Sequence, residues 1–227
     1  MHHIDADIIL LDIEGTIGSI NFVAKVLFPY SRHRLEQFVL EHDGDPVVQA
    51  ILDDTRAAEP NKPTLETLQD WHDRDVKAGP LKQLQGLIWA EGYRDGAFKA
   101  HLYDDAVEAM KKWRAAGKRL CVYSSGSRQA QLLYFEYSAF GDLRPLFTDY
   151  FDTTIGSKTE ASSYSAIARA LGAKPSTILF LTDNPREVRA ALEASIIAIQ
   201  IARDGMVADP ALPNASDFNR ISVVGAE

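Results

Sequence analysis

Hydrophobic patterning divides the chain into stretches of different character. Near the N-terminus, Ile8-Ile9-Leu10-Leu11 places four aliphatics in a row, two of them β-branched. Such a run suits a central strand covered on both faces better than an alternating edge strand. It leads directly into Asp12, Glu14 and Gly15, where the glycine allows a tight backbone turn. From Asn21 to about Ala100 strand-like runs disappear and helical spacing takes over. Val23, Val26, Leu27 and Tyr30 open the pattern, Leu35, Phe38, Val39 and His42 continue it, and Val47, Val48, Ile51 and Leu52 mark a further helix. The polar stretch 59–63 reads as a loop, after which Thr64 is expected to cap a helix presenting Leu65, Leu68, Trp71 and Val76. Gly79-Pro80 separates that helix from another over Leu81–Glu91, which Gly92 is expected to stop.

Beyond Tyr103 strands and helices alternate. Asp104 or Asp105 is expected to cap a helix with Val107, Met110, Trp113 and Arg114 on one face, ended by Gly117. A strand over Arg119–Tyr123 runs into Ser124-Ser125-Gly126-Ser127 and a helix from Arg128 to Tyr137. A short strand over Phe151–Ile155, the loop Gly156-Ser157-Lys158 and a helix from about Glu160 to Leu171 come next. The cleanest strand, Thr177–Thr182, ends at Asp183. Asn184-Pro185 then opens a helix through Ala194, Ile196–Ile201 forms a last strand, and the tail from Asp209 reads as loop with one weak strand. This alternation predicts an α/β fold with right-handed crossovers and a parallel sheet. The simplest organisation is a core of residues 1–20 and 101–227 with residues 21–100 inserted as an all-helical lid.

Composition narrows the function classes. At 227 residues, with 46% hydrophobic and 25% charged, the chain buries a full core without disulfide or metal staples. No apolar run is long enough to cross a bilayer and no signal peptide is visible, so the expected location is the cytoplasm. The single Cys121 reads as a small buried strand residue. A net charge of −8 with no Lys/Arg block argues against nucleic acid or an anionic membrane as partner. A small anionic substrate then needs a local positive centre, from a cation or a specific lysine.

The chemistry-bearing residues fall at strand ends: Asp12 with Glu14, Ser124 with Ser125, Lys158, and Asp183 with Glu187. In a parallel sheet such ends converge on one crevice. Spaced two apart, Asp12 and Glu14 can face it together, one attacking and the other exchanging protons. Each group also has an ordinary reading: a polar turn, a helix cap at 124–127, a solvated lysine, a cap at Asp183. Their joint order instead matches what phosphoryl transfer requires, namely a carboxylate nucleophile, acids for a divalent cation, hydroxyl donors and a lysine countercharge.

With these motifs in this order the chain resembles the haloacid-dehalogenase-like (HAD) phosphatases, marked by Asp-x-Asp-x-Thr/Val, a strand-end Ser/Thr, a Lys and an acidic pair. Glu14 departs from the usual second aspartate. The wording Asp12-Ile13-Glu14-Gly15-Thr16 is similar to the enolase-phosphatase, or acireductone synthase, branch of methionine salvage. The similarity extends through Val26-Leu27-Phe28-Pro29-Tyr30, Leu81–Gly86 with Trp89, Tyr123–Ser127, Ile155–Lys158 and Phe180–Asp183. It is least at Ile17-Gly18-Ser19, Asn184-Pro185 and the tail. The resemblance implies a Rossmannoid parallel sheet with helices on both faces plus an inserted helical cap. It also implies a monomer that binds one magnesium ion and takes a phosphorylated diketone as substrate. Asp12 would be nucleophile and metal ligand. Glu14 would be acid/base through its carboxylate and metal ligand through its carbonyl. Ser124 and Ser125 would hold substrate oxygens, Lys158 would neutralise the phosphate, Asp183 would complete the metal site, and Glu187 would orient Lys158 or a water. The lid candidates for a thioether pocket are Phe22, Trp89 and Tyr93. Rival readings are another magnesium-dependent HAD phosphatase and a catalytically idle binding protein of the same fold.

Overall fold

The computed structural model describes residues 1–224. In chain order the elements are β1 (His2–Asp5), β2 (Ile8–Leu11), α1 (Ile20–Phe22), a π-helical turn (Val23–Leu27) and α2 (Phe28–Glu41), then α3 (Pro46–Ala58), α4 (Thr64–Asp73), α5 (Gly79–Arg94) and α6 (Asp104–Ala115). They continue with β3 (Arg119–Tyr123), α7 (Arg128–Glu136), β4 (Phe147–Phe151), α8 (Ala161–Leu171), β5 (Ile178–Thr182), α9 (Pro185–Glu193), β6 (Ile197–Ile201), β7 (Asn214–Ala215) and β8 (Ile221–Val224). The chain separates into two units: Met1–Ile20 with the chain from Ala100 onward, and Asn21–Lys99.

In the first unit the main sheet has the order β4-β3-β2-β5-β6-β7, and its pairs are parallel. The fold is α/β. The aliphatic run of β2 is buried at every position because it lies between β3 and β5 with both faces covered. Successive side chains alternate between faces. Ile8, Leu10, Cys121, Tyr123, Ile178, Phe180 and Ala198 pack against Tyr164, Ile167 and Leu171 of α8 and Val188 and Ala191 of α9. The alternate residues Ile9, Leu11, Leu120, Val122, Leu179 and Leu181 are equally buried, and α6 and α7 pack against β3 and β4. From β2 the chain builds outward through β3 to β4 and then returns to β5 on the other side of β2. This change of direction leaves a crevice at the C-terminal ends of β2 and β5.

The second unit is all-helical. Leu35 and Phe38 of α2, Val48 and Ile51 of α3, Leu68 and Trp71 of α4, and Leu81, Leu84 and Ile88 of α5 form its core. Asp45 caps α3 by accepting from the Val47 and Val48 amides. Ahead of α2, Pro29 has no N–H to give, and the chain opens into a π turn in which Phe28 N–H reaches Val23 O.

Several expected boundaries differ for identifiable reasons. Gly92 lies inside α5, where a Cβ would come within 2.7 Å of Tyr30 and 2.9 Å of Phe98. It is a packing glycine, and the helix runs on to Arg94. Pro63 occupies the cap position of α4 and Thr64 begins the helix. Asp104 and Asp105 lie in the first turn of α6 after Tyr103, because the Asp105 carboxylate is engaged by Arg203 (3.1 and 2.8 Å) and the Phe218 amide (2.8 Å). The strand expected at 151–155 is instead Phe147–Phe151. Asp152 turns the chain there by accepting from the amides of Arg128 and Thr154. Among the described residues no helix is long and apolar enough to cross a membrane.

Candidate active site

Asp12 follows the last residue of β2, and its amide donates to Leu181 O (3.0 Å), continuing the ladder one step past the strand. The β2–β5 register, with Leu11 opposite Leu181, therefore brings Asp12 beside Thr182. The chain then folds tightly: the amides of Thr16, Ile17 and Gly18 all return to Ile13 O, while Gly15 N–H donates to Gly18 O. Gly15 has φ +76°, and a Cβ there would stand 2.3 Å from Asp183 Oδ2. Glycine at this position thus serves the left-handed turn and leaves room for the Asp183 carboxylate.

Lys158 is the positive centre. It sits in the loop before α8 and is held by its surroundings: Tyr164 Oη donates to Lys158 O (2.7 Å) and Tyr123 Oη to Gly156 O (3.0 Å). Its ammonium reaches Asp12 Oδ1 (2.5 Å) and Glu187 Oε2 (2.9 Å) and lies 5.7 and 5.9 Å from the rings of Tyr123 and Phe180. Burial alone would lower this lysine, but the carboxylates of Asp12 and Glu187 outweigh it and hold the ammonium above the usual lysine range. Thr182 Oγ donates to Glu187 Oε2 (2.7 Å) and lies 3.2 Å from Asp12 Oδ2, so Asp12 and Glu187 are tied by both Lys158 and Thr182. Asn184 caps α9 and donates from Nδ2 to Glu187 Oε1 (3.2 Å).

The two serines are placed differently. Ser124 is fully buried; its Oγ donates to Glu14 Oε2 (3.1 Å) and accepts from Gly126 N–H (3.1 Å). Ser125 is exposed and lines a cavity of about 400 Å³ together with Asp12, Glu14, Lys158, Asp183 and Glu187. Ile20, Pro185 and Met206 are part of the same lining. All seven residues expected from the sequence therefore lie in or directly behind one site. Thr182 was not singled out, although its place immediately before Asp183 at a strand end was a usable signal. The register that sets it beside Asp12 is tertiary information.

The site holds more negative than positive charge. Burial first, then the charges of Asp12 and Glu187, push Asp183 up to about 7. Glu14 is raised by burial and by Asp12, against the pull of Lys158 and the Ser124 hydroxyl. Glu187 is also raised, by burial and then Asp12. Carboxylate oxygens under-neutralised by a single lysine suit a hard divalent cation, and the side-chain-free space at Gly15 keeps Asp183 in the cluster. Among the described residues no three His, Cys, Asp or Glu side chains are grouped as metal ligands.

The haloacid dehalogenase-like hydrolase family model matches residues 6–195. Enolase-phosphatase E1 of Bradyrhizobium sp. is 48% identical over 220 residues, covering 97% of this chain and 96% of the relative. Enolase-phosphatase E1 of Methylococcus capsulatus is 49% identical over 218 residues, covering 94% and 96%. Among solved structures, the UTR4 protein of Saccharomyces cerevisiae aligns with TM-score 0.81 at 36% identity, covering 94% of this chain and 99% of that one. CbbY of Rhodobacter sphaeroides, 14% identical with TM-score 0.61 over 94% and 95%, shares the fold. With near full-length identity of this order, and a site built on Asp12, Glu14, Lys158 and Asp183, the chain belongs to the haloacid dehalogenase-like hydrolases and, within them, to the enolase-phosphatase E1 family.

Proposed function

We propose that the protein enolises 2,3-diketo-5-methylthiopentyl-1-phosphate and then hydrolyses its phosphate ester to give the acireductone. The observation that carries this reading is the pairing of Asp12 with a second carboxylate, Glu14, in one cavity, where Ser124 holds Glu14 and Lys158 faces Asp12. One Asp12 oxygen attacks phosphorus in line, giving an aspartyl-phosphate, while the other stays beside Thr182. Lys158 offsets the charge gathering on the phosphoryl oxygens, and Ser125, exposed at the cavity wall, donates to them. Glu14, which burial and the Asp12 charge raise above the usual carboxyl range, protonates the leaving oxygen and then takes a proton from the water that hydrolyses the intermediate. Glu187 positions Lys158 from behind.

We assign a single magnesium ion per chain to Asp12, the main-chain carbonyl of Glu14 and Asp183, an all-oxygen set. When bound it supplies Lewis-acid polarisation of phosphoryl and carbonyl oxygens. We assign the helical unit 21–99, inserted between the turn after β2 and the rest of the core, the role of cap.

Glu14 is also our choice for the proton shuttle of the enolisation step, since its carboxyl already faces the cavity that holds the nucleophile. Glu14→Gln is expected to lose about 10²-fold or more in both enol formation and phosphate release, the scale of a removed acid/base group. Stopped-flow absorbance of the enol, read beside phosphate release, checks this. Enolisation at the wild-type rate in that variant would assign the step to another residue.

A further inference from the structure

We infer that Ile20 and Met206 form an apolar subsite on the core unit that holds the methylthioalkyl tail of the substrate, an inference that rests on the enolase-phosphatase reading above. Large apolar side chains open to water are scarce among the described residues. Two of them, Ile20 at 53% and Met206 at 43% exposure, line the same cavity as Asp12 and Lys158. The neighbouring Val207 is 89% exposed, and Pro185 adds a further apolar surface to the lining. The cavity lining therefore combines carboxylates and an ammonium with uncovered aliphatic surface. A ligand that satisfies both must carry an anionic head and an apolar tail.

The position of Met206 is built by its neighbours. Arg203 pairs with Asp105 (3.1 and 2.8 Å), lies 4.1 Å from the Tyr103 ring centre, and donates from Nε to Thr16 O (2.7 Å) in the turn that follows Glu14. Asp204, at φ +54°, accepts from Tyr103 Oη (2.5 Å), and Met206 N–H donates to Arg203 O (2.9 Å). One guanidinium thus fixes both the turn after Glu14 and the loop that presents Met206.

The aromatic residues expected to receive the thioether are already committed within the helical unit. Phe22 and Tyr93 each pack edge-on against Phe98, and Trp89 packs near Phe28 and donates its indole N–H to Leu27 O (2.8 Å). Ile20 and Met206 remain as the apolar surface of the cavity itself.

The test measures kcat and KM for the methylthio diketo phosphate and for the same diketo phosphate ending in a methyl group without the thioether. Wild type, Met206→Gln and Ile20→Thr are compared in the full chain with magnesium. Wild type is expected to prefer the tailed substrate by about tenfold in kcat/KM, the discrimination a small apolar group provides. In each variant that preference should fall toward one, through a rise in KM for the tailed substrate. Variants that keep the wild-type preference, or that lose both substrates equally, overturn the subsite. If wild type turns over neither diketo phosphate while hydrolysing a simple phosphomonoester, the enolase-phosphatase reading fails and the subsite falls with it.

Discussion

Replacing Asp12 with asparagine is expected to lower phosphate release by about 10⁴-fold or more, the scale of losing a covalent nucleophile. The amide has nearly the shape of the carboxylate and fits the same space at the end of β2, but its nitrogen and carbonyl cannot attack phosphorus. The fold should survive, because Lys158 keeps its ion pair with Glu187 and the main-chain bond of residue 12 to Leu181 O does not involve the side chain. Quenched reactions analysed by mass spectrometry should show a phosphorylated peptide containing Asp12 in the wild type and none in the variant. Phosphate release within tenfold of wild type would assign the nucleophile elsewhere.

The second large effect belongs to Lys158. Lys158→Met keeps the aliphatic stem against Tyr123 and Phe180 and removes the charge that faces Asp12 and Glu187. Activity should fall by about 10²- to 10³-fold, as for loss of one preorganised electrostatic group. Stability should fall by about 3 kcal/mol at neutral pH, since removal of one partner strands the other charges in a buried site. The pH dependence has a definite sign. In the wild type the Lys158 pKa is raised, so its contribution is complete at neutral pH and is lost only as pH rises through the lysine range. In the variant the folded state holds carboxyls that are already raised, those of Asp183 and Glu187, without their countercharge. Such groups penalise the folded state above their unfolded pKa, so the deficit should shrink as pH falls toward about 4, where the unfolded carboxyls also take up protons. Urea unfolding at pH 7 and pH 5 measures this. A deficit that is absent, or that grows on acidification, contradicts the ion-pair account.

The sequence made some of this architecture readable and left other parts hidden, on physical grounds. Ile8–Leu11 was legible because a strand buried on both faces must be continuously apolar. Asp12 and Asp183 were legible because each directly follows an apolar run that forms a strand, β2 and β5, whereas Lys158 lies in the loop before α8, seven residues past the end of β4. By contrast, β4 was displaced by several residues: as an edge strand it carries the exposed Thr148 and the half-buried Asp149 and Tyr150 and lacks a clean apolar run. The pairing of β1 with β8 joins the chain's two ends, and no local pattern announces so distant a partner. Gly92 resembled a helix stop, but only the positions of Tyr30 and Phe98 reveal why a side chain is excluded there. Within the site, Ser124 and Ser125 read alike as neighbours in sequence, yet one points back to Glu14 and the other opens to the cavity. Ile20 and Met206 carried no chemical signal of their own, because their significance lies in which cavity they line.

One cavity is expected to perform both enolisation and phosphate hydrolysis. The most direct test is a single turnover of the diketo phosphate by the wild-type enzyme with magnesium, following enol absorbance and phosphate release together. Enol absorbance is expected to rise before phosphate appears, with both signals coming from the same enzyme. Phosphate released from the diketo phosphate without a preceding enol signal would make the protein a phosphatase that does not enolise this substrate.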